Sequence, residues 1–552
     1  MPETSKSWDV EVDFVSVGSG SGGLSGAIAA HDAGLEVLVL EKSPKVGGVL
    51  AYSAGEVWCG GNHLAEAAGY SDSLDEVRSY MHFLSAGDYI GPNQEAFVTN
   101  APKVIRYLVD HVGVRFQIET DAPDYYYPDA PGSKAIGRML EVEPIFGSDL
   151  GEWQERVRTS PHFQPGTTRS ELASWGGLAV TAGWDSALMA ERASKDARTT
   201  GPGLAAYLAK AAFVDRGIRC ELSAPALELV SEGGAVTGLV ARTSNGEQRI
   251  GARKGVLLAT SGYDGAAALA RAYERAPQWG NTALFPGLTG DGLVMGAEIG
   301  AEVASAAQDQ SFPGLPALPG ETWDGGPVYR LPHLDIAVPH GIIVDQDGHR
   351  FADESFYPEL LTALQEFDGK ARRLKHFPCF MVFDQDHRER YALGGVPAGE
   401  PLPEGYAVTA QTIGGLAEGL GVNAGNLQQT VQRFNEFASK GEDPDFGRGH
   451  YPWSNAMGDS RVKPNPNLGV IERPPFYGVR MKLITVGINN AGLLIDDNAN
   501  VRHVRGHPVP GLYAAGNAAA YVELMRGYQS GFANCRGLVF GYLAAQHAAK
   551  RV

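Results

Sequence analysis

An α/β fold in two parts is predicted by three features of this 552-residue sequence. The length exceeds what one hydrophobic core ordinarily serves, so two domains are expected. Residues 11–41 read as strand, glycine turn, helix and strand, the opening of a doubly wound sheet. Between residues 304 and 464 prolines, aromatics and loop residues crowd in and glycine turns thin out; from 465 the strand-and-glycine style returns. The expected organisation is a Rossmann-like domain over 1–303 and 465–552, interrupted by an inserted α+β capping domain over 304–464.

The elements follow in order. Residues 11–17, EVDFVSV, read as a short buried strand. The small residues of 24–33 suit a helix lying close to that strand, and Gly34 stops it. Residues 36–40, EVLVL, form the second strand and end at Glu41. Further on, 203–216 reads as a helix and 218–222 as a strand, and 227–230 with 236–241 as a hairpin about Gly233-Gly234. Residues 255–259, GVLLA, are another buried strand, ending in Thr260. An interrupted ligand domain places a cleft between itself and the cap, where small molecules commonly bind.

Composition narrows the function. Glycine, at 71 residues, is well above the usual roughly 7%, as where backbone must approach a ligand closely. A formal charge of −18 repels phosphodiester backbones and argues against a nucleic-acid partner. Cys59, Cys220, Cys379 and Cys535 show no CxxC or CxxCH spacing, so no metal site, disulfide scaffold or c-type haem is expected. Residues 1–9 are polar and carry no signal-peptide pattern. No apolar run reaches membrane length, so a cytoplasmic protein without a transmembrane segment is expected.

The chemistry begins at Gly18-x-Gly20-x-x-Gly23. Gly18 permits the tight turn, Gly20 lets a pyrophosphate approach the backbone, and Gly23 lets helix pack on strand. The helix N-terminus then offers its unpaired N–H groups to phosphate. Glu41, 18 residues after Gly23, can accept hydrogen bonds from ribose hydroxyls and disfavours a 2′-phosphate. FAD and NAD both remain open on this motif.

Later segments separate them. Residues 41–55, EKSPKVGGVLAYSAG, resemble the stretch after the second strand in the fumarate reductase and ketosteroid dehydrogenase flavoprotein superfamily. Residues 255–264 (GVLLATSGYD), Thr289-Gly290-Asp291-Gly292 with Met295, and 511–517 (GLYAAGN) resemble its further motifs in the same order. The resemblance implies non-covalently held FAD, contacted at Gly18, Gly20, Gly23, Glu41, Lys42, Gly48, Ser53, Gly55, Thr260, Asp291, Gly516 and Asn517.

The branch of the superfamily follows from what replaces its carboxylate anchors. Residues 336–344 contain no arginine, and the positions of the dicarboxylate reductases' histidine and late arginine fall on Ile488 and Tyr528. Two substrate carboxylates would lack charge-assisted partners; Arg526 and Arg536 lie near. Instead, residues 123–132 (PDYYYPDAPG) with Gly137-Arg138, 350–357 (RFADESFY) and Tyr528-Gln529-Ser530-Gly531 resemble segments of Δ1- and Δ4-ketosteroid dehydrogenases.

That resemblance implies a dehydrogenase making a C=C bond next to a ketone, in a 3-ketosteroid or a smaller cyclic ketone. Tyr528 O–H and the Gly531 N–H would polarise the carbonyl. Tyr357 would take the α proton, with Tyr126 or the neighbouring Tyr125 hydrogen-bonded behind it. FAD supplies the redox chemistry and a separate electron acceptor, not specified by the sequence, reoxidises it. A tyrosine base has an ordinary pKa of about 10 and calls for a neighbouring donor or positive field. His340 is read as lining or hydrogen-bonding the cleft. The competing readings are an ene-reductase of an unsaturated acid and a non-catalytic flavin electron-transfer subunit.

Overall fold

The computed structural model describes residues 7–274, 281–306 and 311–551. β1 (Val10–Val17) lies inside the main sheet, with Phe14 to Val17 buried on both faces as a central parallel strand requires. α1 (Ser21–Asp32) leaves its end and returns the chain to β2 (Val37–Leu40), parallel to β1. β3 (Arg219–Glu221) extends the sheet beyond β2. The hairpin β4 (Ala226–Glu232) and β5 (Ala235–Thr243) turns on Gly233 and Gly234, both with positive φ, and hands the chain to β6 (Gly246–Leu258). β6 pairs with β1 on its other side. The GVLLA strand is thus the buried end of a 13-residue strand whose first half is half-exposed and pairs with β5.

Between β2 and β3 the chain makes an excursion. The helices Leu74–Leu84 and Asn93–Tyr107 stand beside a small sheet of Val57–Trp58, Phe116–Ile118 and Met139–Val142. The first helix is fixed at its start by a capping box between Ser73 and Glu76. The loop before Met139 carries Tyr125 and Tyr126, and a buried Arg138 ties it down through Asp72 (2.7 Å) and Asp124 (2.8 Å).

The cap is an antiparallel sheet of β7 (Gly341–Asp345), β8 (Cys379–Phe383), β9 (Val408–Ala410) and β10 (Phe476–Arg480), in the order β7-β8-β10-β9. The helices Ile413–Leu420 and Ala424–Ala438 pack apolar residues on one face. A second apolar cluster that includes Ile343, Met381 and Val479 fills the other. α2 (Tyr357–Leu364) starts at the edge of this layer, and a buried ion cluster stands before it: Arg350 pairs with Glu354 (2.7 Å) and Asp443 (2.8 Å), and Arg448 with Glu354 (3.2 Å).

The return to the first domain comes later than position 465. β10 is an inner strand of the cap sheet, and Lys482–Thr485 still pairs with Ser311–Gly314. The nucleotide domain resumes with Ala491–Leu493, paired to Val303–Ser305. Prolines at 464, 466, 474 and 475 interrupt the pattern just before a cap strand, which is why the boundary reads early. β11 (Asn500–Arg502) and β12 (Pro508–Ala514) then complete the main sheet, β12 parallel to β6. α3 (Phe532–Lys550) closes the domain by lying on α1 so closely that a Cβ on Gly541 would strike the Gly22 carbonyl.

At Gly23 a Cβ would collide with the Gly18 carbonyl and crowd Ser16, whose hydroxyl donates to the Gly23 carbonyl at 2.9 Å. Gly23→Ala is expected to cost about 1–3 kcal/mol through overpacking. Urea unfolding and the flavin content of the purified variant check this, both falling together.

Candidate active site

The glycine turn opens onto a cavity of about 540 Å³. Gly18, Gly20 and Ser21 form its floor at the start of α1, where no side chain caps the first N–H groups. A Cβ on Gly20 would meet nothing within 4 Å, so that face is open to a ligand. Glu41, 8% exposed at the end of β2, lines the cavity and accepts from Ser19 Oγ (2.5 Å) and Ser43 N (2.8 Å). Lys42 reaches Asp291 Oδ2 at 2.9 Å, and Thr260 Oγ1 accepts from Gly292 N at 3.2 Å. Gly48, Thr260, Asp291, Gly516 and Asn517 line the same space. An uncapped helix start, an open glycine face and a carboxylate at the next strand end fit the pyrophosphate and ribose of a dinucleotide.

Three of the expected cofactor residues stand behind the wall. Gly23 packs on Gly18, as above. Ser53 donates to the Leu50 carbonyl (2.8 Å) and accepts from Gly55 N (3.0 Å), making a turn, and a Cβ on Gly55 would strike the Thr200 backbone. Ser53 and Gly55 therefore shape the lining without belonging to it. Sequence reasoning missed Ser19, Asn534 and Arg158, which do line it. Ser19 sits within the glycine motif and was findable there. Arg158 sits in no motif: its guanidinium pairs with Asp324 and lies 3.9 Å from the centroid of Phe285.

The phenols meet where the cap touches the first domain. Tyr357 heads α2, Tyr125 comes from the excursion loop, and Tyr528 from the turn before α3. Tyr357 and Tyr125 are 2% and 1% exposed and their hydroxyls are hydrogen-bonded to each other. The Tyr528 ring lies 5.7 Å from Tyr357 and 6.1 Å from Tyr125, with Phe312, Trp453 and His333 packed around them. Tyr528 is half-buried, and half-buried Leu178, Tyr329, Leu331 and Val486 join the same apolar cluster. Gly531, at φ +76°, starts α3 three residues after Tyr528.

Tyr126 is not the partner of Tyr357. Its ring packs edge-on against Phe83, Phe356 and Tyr451, on the other side of the loop from Tyr125. Adjacent residues of a tight loop point apart, and only the fold selects which one faces inward. Tyr125 is held by its own N–H, which donates to Gln529 Oε1 at 3.1 Å, while Tyr80 O–H donates to the same atom at 2.7 Å. His340 hydrogen-bonds Val470 O (2.7 Å) and Arg390 (3.2 Å) within the cap. Arg536 is consumed by Glu523 (2.7 Å) and backbone carbonyls, and Arg526 is exposed.

Burial pushes the Tyr357 hydroxyl well above its ordinary range, and the neighbouring phenols and the Glu56 carboxylate push the same way. Tyr528 is raised by burial and Glu56, and Tyr125 by burial, Tyr528 and Glu56. Of the neighbouring donor or positive field that a tyrosine base calls for, Tyr357 has the Tyr125 hydroxyl in hydrogen-bond contact, while the Glu56 carboxylate opposes its ionisation. The His333 ring, stacked 4.6 Å from Tyr357, is pushed down to about 4 by burial and Arg169, and is neutral at physiological pH.

A family model described as "FAD binding domain" matches residues 13–535. The chain belongs to that family. The 4-oxocyclohexanecarboxylate 2-dehydrogenase of Sinomonas cyclohexanicum is 36% identical over 546 residues, covering 97% of this chain and 92% of the relative. A 3-oxosteroid 1-dehydrogenase of Mycobacterium tuberculosis is 31% identical over 576 residues, covering 98% of both. The crystal structure of 3-ketosteroid delta1-dehydrogenase from Sterolibacterium denitrificans, in complex with 1,4-androstadiene-3,17-dione, matches with a TM-score of 0.89 at 28% identity, covering 98% of this chain and 99% of that one. The chain is an FAD-dependent oxidoreductase of the ketosteroid-dehydrogenase-like kind. No helix among the described residues is long and apolar enough to cross a membrane.

Glu41→Ala removes the carboxyl that lines the cavity beside the glycine turn. FAD affinity is expected to fall 10- to 100-fold, the equivalent of about 1.5–3 kcal/mol for a hydrogen bond to a charged group. Titration of apoprotein with FAD, followed by flavin fluorescence, measures it.

Proposed function

We propose that this enzyme introduces a C=C bond next to the carbonyl of a hydrophobic cyclic ketone, using non-covalently held FAD. The observation that carries the reading is the hydrogen-bonded hydroxyl pair of Tyr357 and Tyr125, buried in one ring cluster with Tyr528. Bound FAD supplies the acceptor for the hydride that leaves the β carbon. Tyr528 O–H and the Gly531 N–H hold the ketone oxygen and make the α hydrogen acidic. Tyr357 receives the α proton, and Tyr125 orients it. Leu178, Tyr329, Leu331 and Val486 exclude water and favour an apolar ring around the ketone.

The ene-reductase reading lacks its cations here: Arg536 is spent on Glu523, and Arg169 is paired with Glu56 and Glu119. The non-catalytic reading leaves the phenol cluster without a purpose. Two ring sizes remain within the proposal. The 36% identity to an oxocyclohexanecarboxylate dehydrogenase favours a single ring, and the TM-score of 0.89 to a ketosteroid dehydrogenase favours a steroid. All four cysteines are free, in keeping with a cytoplasmic location. The electron acceptor lies outside the chain.

Anaerobic titration with cyclohexanone, 4-oxocyclohexanecarboxylate and a 4-en-3-ketosteroid tests the reading through bleaching of the flavin. At least one ketone is expected to bleach it, and fumarate is expected not to reoxidise it. Tyr357→Phe and Tyr528→Phe are expected to slow bleaching by roughly 10²- to 10⁴-fold, the range for positioned acid–base groups. Tyr126→Phe is expected to react like the wild type. Wild-type rates in both of the first two variants would remove their roles.

A further inference from the structure

A proton taken by Tyr357 needs somewhere to go. A standing phenolate is costly in this place, because burial and a nearby carboxylate both oppose it. The surroundings offer an alternative. Tyr357 and Tyr125 share a hydrogen bond through their hydroxyls. Ser530 stands beside the Tyr125 and Tyr528 hydroxyls and favours their ionised forms against the pull of burial. Ser530 in turn donates to Glu56 Oε2. Glu56 is 5% exposed, and its other oxygen pairs with Arg169 Nε at 2.9 Å.

The acids behind this chain are arranged unequally. Arg169 also touches Glu119 at 2.7 Å, and its backbone N–H donates to Glu141 at 2.7 Å. Glu119 Oε2 is buried with no hydrogen-bond partner. Burial, with the charges of Glu56 and Glu141, holds the Glu119 carboxyl well above the usual carboxylate range against the pull of Arg169. Glu56 is faced by the Arg169 guanidinium on one oxygen and by Ser530 on the other. Glu56 is the one of these three acids that touches the hydroxyl chain.

We propose that Glu56 is the terminal proton acceptor of the reaction, reached from the substrate through Tyr357, Tyr125 and Ser530. The proposal rests on the desaturation reading above. As the α C–H bond breaks, its proton passes to the Tyr357 oxygen. The Tyr357 proton moves to Tyr125, the Tyr125 proton to Ser530, and the Ser530 proton to the Glu56 carboxylate. The C–H electron pair becomes the new π bond while the hydride leaves the neighbouring carbon for FAD, the oxidant. Each hydroxyl ends as a hydroxyl, Glu56 ends as an acid, and no free phenolate is formed. Glu56 returns its proton to solvent before the next turnover.

Stopped-flow reduction of the anaerobic holoenzyme by the ketone that bleaches it tests the relay. Glu56→Gln keeps the shape and removes the acceptor. The expected result is reduction slowed about 100-fold or more, with flavin content and the ketone concentration for half-maximal rate unchanged. Ser530→Ala is expected to slow reduction similarly, and Ser530→Thr, which keeps a hydroxyl, to restore it. A fast Glu56→Gln variant, or a slow one whose half-maximal ketone concentration rises in step, overturns the relay while leaving desaturation standing. A wild-type flavin that no ketone bleaches overturns the desaturation reading and the relay with it. If Glu56→Gln does not fold, the Ser530 pair decides alone: equal rates in Ser530→Ala and wild type overturn the proposal.

Discussion

The close approach of α1 to the end of β1 is the constraint from which the rest of the molecule follows. It exists because Gly18 and Gly23 bring backbone against backbone where any Cβ would collide. That seating aims the uncapped start of α1 into the cavity and sets β2 so that Glu41 lines it. The same tightness recurs on the far side of the helix, where Gly541 of α3 meets Gly22. Because α3 is held there, the turn before it, with Tyr528, Ser530 and Gly531, is held as well. The cofactor cradle and one side of the reaction site are thus positioned by a single packing event.

The other side of the site belongs to the cap and the excursion. α2 delivers Tyr357 from behind a buried cluster of two arginines and two acids, Arg350, Arg448, Glu354 and Asp443. Such a cluster contributes rigidity more than net stability, since removing any partner strands a buried charge. Arg138 plays the same part for the loop that carries Tyr125. Three separate chain segments therefore bring three hydroxyls together, each braced by its own buried ion pair or helix start. The arrangement opposes phenolate through burial and the Glu56 carboxylate, and it joins the Tyr357 and Tyr125 hydroxyls directly by a hydrogen bond.

The legible parts were those in which neighbours in sequence are neighbours in space. The β1–α1–β2 unit and the Gly233-Gly234 hairpin lie close to where pattern places them. Thr260, Asp291, Gly516 and Asn517 were reached through resemblance and line the expected cavity. The late boundary of the cap was not legible, because β10 follows a proline-rich stretch that looks like a linker. Arg158 was not legible, because its partner Asp324 is far away in the chain. Ser53 and Gly55 were legible as a turn, yet whether a turn faces a ligand or a neighbouring backbone depends on what packs behind it.

The sequence by itself pointed to an FAD-binding chain with a glycine turn after its first strand, to a change of style in the middle of the chain, and to Tyr528 at a position where the resemblance implied an arginine. Those properties reside in local spacing and residue type, which survive without coordinates. Only the tertiary structure decided that Tyr125 and not Tyr126 meets Tyr357, and that Glu56 lies behind Ser530. Both are matters of side-chain direction across segments hundreds of residues apart. A hydrogen bond has a reach of about 3 Å, far finer than any pattern in the chain can specify.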